Sequence, residues 1–338
     1  MRQEDTSVYR CPTSGAPLRL EIDEAHNDDV RSGQLVSPDG LVFPIVDGIP
    51  DLTFPHELPF SEQQARTTYE RVADEYDRYI HLTFDTFRTT EKEERARMVD
   101  RLALQPGAAV LEIGCGTGRT APLIAERIGA AGRLWLQDLS PFVLAKAAEK
   151  VGQAPCSVHF SVANGCYLPF ANDSFDAAFH FGGINMFSDI PRAFRELARV
   201  VRPGGMVVVG DEGIPAWLRD TETAKILINS NPFYRHDVPL AALPVCARDV
   251  HVEWIIGGMF YLISFRVGDG EPYADLDFPI PGARGGTHRT RMYGQLEGVT
   301  PEAKALANKA RAVTGKSMHE WLDEVIRQAA NRDIGESK

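Results

Sequence analysis

Nowhere in this 338-residue chain is an apolar run long enough to cross a bilayer. The longest, such as residues 206–210, fall far short of the ~20 residues a spanning helix needs. The first residues include acids and lack the apolar stretch of a secretory signal, so a cytoplasmic protein is expected. Cysteine is scarce: Cys11, Cys115, Cys156, Cys166 and Cys246 are odd in number and form no CxxC pair. That spacing supplies neither a disulfide framework nor a local metal knot, and reduced thiols are expected. Positive charge is in deficit as well. A net charge of −11 argues against a broad nucleic-acid face, which needs concentrated basic side chains. The deficit is uneven. Residues 1–60 carry 4 basic and 11 acidic side chains, whereas residues 281–338 carry 10 and 7, so only the last segment has a surplus to offer a polyanion.

What is present is an ordinary globular composition arranged in three regimes. Residues 1–60 hold short apolar bursts between Pro, Gly and Asp, the pattern of a small β-rich unit. Residues 61–270 open with polar helical patterns over 61–79 and 89–104. Strand-like and helix-like runs then alternate: strands at 110–113, 133–137, 157–162, 175–181 and 206–210, helices at 119–128, 141–151 and 191–201. Strands at this spacing make βαβ units, so the fold class is α/β, a doubly wound and mostly parallel sheet with helices on both faces. Residues 251–256 and 259–267, joined at Gly257-Gly258, read as a closing antiparallel hairpin. Residues 281–332 are expected to form an appendage: a strand at 290–296, then helices at 301–313 and 317–330.

The strongest local signal is Val110-Leu111-Glu112-Ile113-Gly114-Cys115-Gly116-Thr117-Gly118. A buried strand runs into a glycine turn that a ligand can approach closely, and a helix follows. Asp138 ends the next strand, 20 residues after Gly118, where a carboxylate accepts hydrogen bonds from ribose hydroxyls. The glycines are spaced two apart, unlike the dinucleotide GxGxxG. Glu112 would repel a pyrophosphate and suits a cationic ligand instead.

These residues resemble the first motif and ribose acid of class I S-adenosylmethionine-dependent methyltransferases, in the branch typified by ubiquinone and menaquinone biosynthesis enzymes. The resemblance extends over roughly residues 66–267. Asn164-Gly165 followed by Leu168-Pro169-Phe170 and Ser174-Phe175-Asp176 resembles the adenine-side segment, and residues 195–209 resemble the helix and strand ending the parallel sheet. Residues 69–77, with Tyr69 and Tyr76, resemble the lid helix over the cofactor. The resemblance implies a seven-stranded Rossmann-like domain with S-adenosyl-L-methionine as cofactor. It implies cofactor contacts at Tyr69, Tyr76, Glu112, Gly114, Cys115, Gly116, Gly118, Asp138, Leu139, Asn164, Gly165 and His180. Asn164-Gly165 departs from the usual Asp-Ala pair, but an Asn amide still bonds an adenine edge, so altered affinity is expected rather than loss.

Methyl transfer needs in-line positioning in a dry pocket, and a base only where the acceptor carries a proton. His180 at a strand end and Glu212 in the pair Asp211-Glu212 are the candidate catalytic residues. Equally, His180 can be a packed strand histidine, and one of the two acids can cap a helix near residues 214–215. His236 reads better as a loop residue. Met186, Phe187, Trp217, Phe233 and Tyr234 are candidates for an apolar acceptor site, although aromatics at such positions are mostly core. Cys115 reads as structural.

The ends carry two further resemblances. Residues 10–53 resemble a Trm112-like module in which the zinc-ligand positions hold Cys11, Ser14, Ser37 and Gly40. One thiolate cannot build a tetrahedral zinc site, so no metal is expected. The C-terminal strand–helix–helix resembles ribbon–helix–helix modules, which implies a homo-oligomer through that unit; a nucleic-acid partner is not expected. The function expected is methyl transfer to a small lipophilic or aromatic acceptor. The alternatives are an RNA (rRNA) methyltransferase and a non-catalytic cofactor-binding regulator with a DNA-binding C-terminal unit.

Overall fold

Short strands with alternating burial build the first sheet. β1 (Arg19–His26), β2 (Asp29–Val36), β3 (Val42–Val46) and β4 (Ile49–Pro50) pair antiparallel in that order. Phe43 and Ile45 alternate with exposed neighbours along β3, as period-2 patterning requires, and Val30 and Leu35 of β2 are fully buried as well. The computed structural model describes residues 1–281, 285–293 and 299–335, in two compact units, Met1–Glu271 and Pro272–Lys338.

Three helices follow in the first unit: α1 (Phe60–Tyr79), α2 (His81–Thr86) and α3 (Glu91–Asp100). The second sheet then alternates with helices: β5 (Ala109–Ile113), α4 (Ala121–Ile128), β6 (Arg133–Asp138), α5 (Pro141–Lys150), β7 (Ser157–Val162) and β8 (Phe175–Phe181). After these come α6 (Ile190–Val200), β9 (Val201–Glu212), α7 (Glu222–Ser230), β10 (Ala247–Ile255) and β11 (Phe260–Val267). The seven strands lie in the order β10-β11-β9-β8-β5-β6-β7. β5 to β9 are mutually parallel, and β10 and β11 are antiparallel. This is the doubly wound α/β class. Chain order reverses between β5 and β8, and the carboxyl ends of these strands open the crevice where such sheets bind ligands.

β9 is longer than its apolar run suggests. It includes Pro203-Gly204-Gly205, which lies beside a pairing irregularity between Phe175 and Ala177 of β8. A proline is tolerated in a strand where the ladder is interrupted.

The small sheet covers the open edge of the large one. Leu52 N–H donates to the Val162 carbonyl (2.8 Å), Arg10 N–H to Pro169 (2.9 Å) and Ala171 N–H to Val8 (3.0 Å). Tyr9, Leu35, Phe43 and Leu52 continue into the core formed by Trp135, Phe170 and Phe175. A polar contact sits inside this seam: Asp5 Oδ2 lies 3.0 Å from His159 Nδ1, and the His159 ring stacks on Trp135 at 4.5 Å.

In the second unit, α8 (His288–Tyr293), α9 (Pro301–Thr314) and α10 (Met318–Asp333) contain no buried residue. Thr300 caps α9, and Ser317 with Glu320 forms a capping box on α10. The strand expected at 290–296 is corrected over its first part, where 288–293 is helical; residues 294–296 lie outside the described residues. No helix among the described residues is long and apolar enough to cross a membrane.

The Asp5–His159 contact tests the seam. Burial alone would raise the Asp5 carboxyl, but the hydrogen bond and charge of His159 outweigh it, so Asp5 titrates below 3.8. A depressed carboxyl stabilises the fold above its unfolded pKa and loses that contribution as pH falls through the folded one. Asp5→Asn should therefore cost about 1–3 kcal/mol in urea unfolding at pH 7, with the difference shrinking below pH 3.8.

Candidate functional site

At the carboxyl end of β5 the chain must turn under a ligand-sized space. Gly114, Gly116 and Gly118 all have positive φ. At Gly114 (φ +56) a Cβ would also sit 3.0 Å from the His180 ring, so only glycine fits. The turn is held from the neighbouring strand: Asp138 Oδ2 accepts from Gly116 N–H (2.9 Å) and Oδ1 from Ser140 N–H (3.0 Å).

These residues open on a cavity of about 120 Å³. Tyr69, Tyr76, Glu112, Gly114, Cys115, Gly116, Asp138, Leu139, Asn164, Gly165 and His180 all line it, so eleven of the twelve positions singled out from sequence converge. Gly118 does not. A Cβ there would meet Ala147 Cβ at 2.8 Å, so this glycine serves the packing of the turn on α5.

The electrostatics of the cavity are those of buried acids. Glu112 is 4% exposed, and its Oε2 has no hydrogen-bond partner. Burial pushes its carboxyl up to about 8, against a lowering by Arg95 and a further rise from Asp138. Burial also raises Asp138, while the N–H groups of Ser140 and Gly116 hold it down. Burial lifts the Cys115 thiol well above 9.0, so it rests protonated, in keeping with a structural part. His180 Nδ1 donates to the Ile113 carbonyl (2.8 Å), and burial lowers its pKa below 6.5. It is a neutral imidazole with an unpartnered Nε2.

α1 lies over this cavity. Its Glu70 accepts from Ser140 Oγ (2.8 Å), and its Asp77 accepts from Thr117 Oγ1 (2.5 Å) and pairs with Arg119 (3.1 Å) and Lys150. Asp74 pairs with Lys146. Tyr69 and Tyr76 meet edge to face, 6.0 Å apart.

A second cavity, about 490 Å³, shares Tyr69, Tyr76, Arg95 and Phe181 with the first. Phe84, Phe87, Phe181, Tyr234 and Phe260 give it apolar walls, and Glu212 lies among them. Asp211 is fully buried, and its carboxylate accepts from the N–H groups of Gly183 (3.1 Å), Asn185 (2.8 Å) and Glu212 (2.9 Å). Glu212 has a single weak donor, Asn231 Nδ2 at 3.4 Å. Burial first, and then the adjacent Asp211, raise its carboxyl well above 4.5.

The remaining residues singled out from the sequence divide between the cavities and the surface. Neither acid caps a helix near residues 214–215: the 3-10 turn Ala216–Leu218 has no side-chain cap, and Thr221 caps α7. Phe233, Tyr234 and Met186 line the second cavity, and Phe187 lines the first. Trp217 does neither; it is 69% exposed and packs edge-on against Trp254. His236 is exposed and outside both cavities. The Asn164 amide, assigned to an adenine edge, is engaged within the protein: Nδ2 donates to Glu62 (2.7 Å), and Oδ1 accepts from Cys166 N–H (2.9 Å).

Sequence reasoning missed Glu62 and Arg95, which are 2% and 7% exposed. Arg95 pairs with Glu91 (2.7 Å), donates to Thr120 (2.6 Å) and lies over the Phe181 ring. Both residues belong to charge-rich helices that read as solvated faces, and no local pattern marks them.

The parallel sheet, glycine turn and acidic strand end define a Rossmann-like ligand-binding fold. Comparison with known proteins narrows this further, since residues 110–205 match the family model of the methyltransferase domain. The chain is 32% identical over 150 residues to a demethylmenaquinone methyltransferase of Desulfitobacterium hafniense, covering 44% of this chain and 58% of that protein. It is 30% identical over 130 residues to the methyltransferase GfsG of Streptomyces halstedii, covering 38% and 47%. The chain thus spans about half the length of these curated relatives. Among solved structures, the [4+2]-cyclase SpnF aligns at 20% identity with a TM-score of 0.45, covering 63% of this chain and 98% of that one.

Glu112 gives the site a measurable signature. A carboxyl at about 8 keeps its proton in the fold but loses it above 4.5 in the unfolded chain. Stability should then fall as pH rises from 4.5 toward 8. Glu112→Gln should melt on the order of 5 °C above wild type at pH 8 and alongside it at acidic pH. A wild-type melting temperature that is flat with pH would overturn the assignment.

Proposed function

We propose that the protein is an S-adenosylmethionine-dependent methyltransferase acting on a small lipophilic or aromatic acceptor. The observation that carries this is Glu112, a buried carboxyl with an unpartnered oxygen beside the glycine turn. A ligand with an ammonium group would satisfy the orphan oxygen and ionise the carboxyl. Arg95, lining the same cavity, suits the carboxylate of that amino-acid end. Asp138, held by two N–H groups at the edge of the cavity, suits a ribose diol. The methyltransferase-domain match over 110–205 supports the same reading.

Bound S-adenosylmethionine supplies a methyl group on a positively charged sulfur. The chain's own residues do the rest. Tyr69 and Tyr76 on α1 stand between the two cavities and close the transfer site from water. The aromatic walls of the second cavity suit a flat apolar acceptor, as do relatives named for a quinone substrate. Asp211 has its oxygens engaged by backbone N–H groups and holds the 183–185 turn, whereas Glu212 is left to take the acceptor's proton. His180, bonded to the Ile113 carbonyl and packed beneath Gly114, supports the turn. A base must be ionised to work, so turnover should rise with pH through the raised Glu212 pKa.

Calorimetric titration with S-adenosylmethionine and S-adenosylhomocysteine should give micromolar binding that Asp138→Ala abolishes. Glu212→Gln should bind both as wild type does while slowing turnover of a phenol or hydroquinone acceptor by about 100-fold. Wild-type affinity in Asp138→Ala would refute the cofactor site.

The second unit supports a further reading, self-association. Leu306, Val313, Val325 and Ile326 on α9 and α10 are exposed apolar residues on helices that bury nothing of their own. Replacing all four with Ser should lower the sedimentation coefficient to that of a monomer. A monomeric wild type would end this reading.

A further inference from the structure

Glu62 is buried at the first turn of α1, and its hydrogen-bond donors are all uncharged groups. Its Oε1 accepts from the Ser188 N–H (3.1 Å), the Ser188 hydroxyl (2.6 Å) and the Cys166 thiol (3.5 Å). Its Oε2 accepts one bond, from Asn164 Nδ2 at 2.7 Å. A carboxylate oxygen takes two, so Oε2 keeps a free lone pair. Glu62 also lines the smaller cavity, beside Asn164 and Gly165.

The position of this group along the cavity decides its use. β5, β6 and β7 are adjacent parallel strands whose carboxyl ends lead to Glu112, Asp138 and Asn164. At ~4.8 Å per strand the row spans about 10 Å. With the ammonium at Glu112 and the ribose at Asp138, the base falls at the Asn164 end. The Asn164 oxygen, however, is already turned to Cys166 N–H. Like Glu62 Oε2, it accepts one bond and keeps a lone pair, but an amide oxygen is the weaker acceptor of the two, and an exocyclic amine at that end is better served by a carboxylate oxygen.

We propose that Glu62 Oε2 is that acceptor, so that the lid helix itself reads the amino group of the adenine base. This inference rests on the cofactor assignment above. It also accounts for the residue at 164. An aspartate there would place a second carboxylate within hydrogen-bond distance of Glu62, and two such charges repel. An uncharged amide that donates to Glu62 is compatible. Glu62 and Asn164 are therefore a matched pair, with the negative charge on the lid and the amide on the floor.

The test is calorimetric titration of the full chain with S-adenosylhomocysteine and with S-inosylhomocysteine, which carries an oxo group in place of the amine. Wild type should favour the adenine ligand by about tenfold or more, the scale of one buried hydrogen bond to a charged group. Glu62→Gln should lose that preference, because an amide can also donate to the oxo group. Asn164→Asp should bind both ligands more weakly. The double variant Glu62→Gln/Asn164→Asp exchanges amide and carboxylate and should recover the adenine preference, which a misfolded protein would not. If Glu62→Gln weakens both ligands equally and leaves the preference intact, Glu62 only fastens the lid and the proposal is overturned. If wild type binds neither ligand, the cofactor assignment fails first and takes this inference with it.

Discussion

The contact between Gly114 and the His180 ring sets the geometry around which the site is arranged. His180 comes from β8 and the glycine from the end of β5, the two strands between which chain order reverses. The imidazole donates to the Ile113 carbonyl and fills the space a side chain at 114 would occupy. The two strand ends are thereby linked by a side chain at the point where the crevice opens. The glycine turn that results presents Gly116 N–H to Asp138, which fixes the second wall. Removing the imidazole would leave a void beneath a turn whose backbone is already in the left-handed region.

Around that tie two cavities meet along a shared wall. The smaller cavity has Glu62, Glu112 and Asp138 in its lining, and the larger one combines aromatic rings with Asp211 and Glu212. Arg95, Tyr69 and Tyr76 belong to both. The small N-terminal sheet contributes at a distance. The chain flanking it, at Val8, Arg10 and Leu52, holds residues 162–171, the segment that carries Asn164, through backbone hydrogen bonds.

The sequence made the parallel sheet legible because its strands are short apolar runs between amphipathic helices, a pattern set by burial. The glycine turn and Asp138 were legible because the backbone itself demands those residue types. Glu62 was not, since its partners lie 102 and 126 residues away and a glutamate in a polar helix looks solvated. Arg95, in the run Glu91-Lys92-Glu93-Glu94-Arg95, was hidden in the same way. The extent of β9 was obscured because Pro203-Gly204-Gly205 reads as a break, and only the pairing irregularity in β8 makes room for it. The strand placed over Thr290 and its neighbours rested on too few residues to distinguish it from the helical turn found there.

The two ends of α1 are fastened by different physics. At its start, Glu62 is sealed from water and held by neutral donors. Toward its end, Asp74 and Asp77 meet Lys146, Lys150 and Arg119, with side chains 23–78% exposed. Dissolved ions reach the second fastening and not the first. Rising ionic strength therefore screens the ion pairs toward the end of α1 while the hydrogen bonds of Glu62 are untouched, so salt acts unevenly along the one helix.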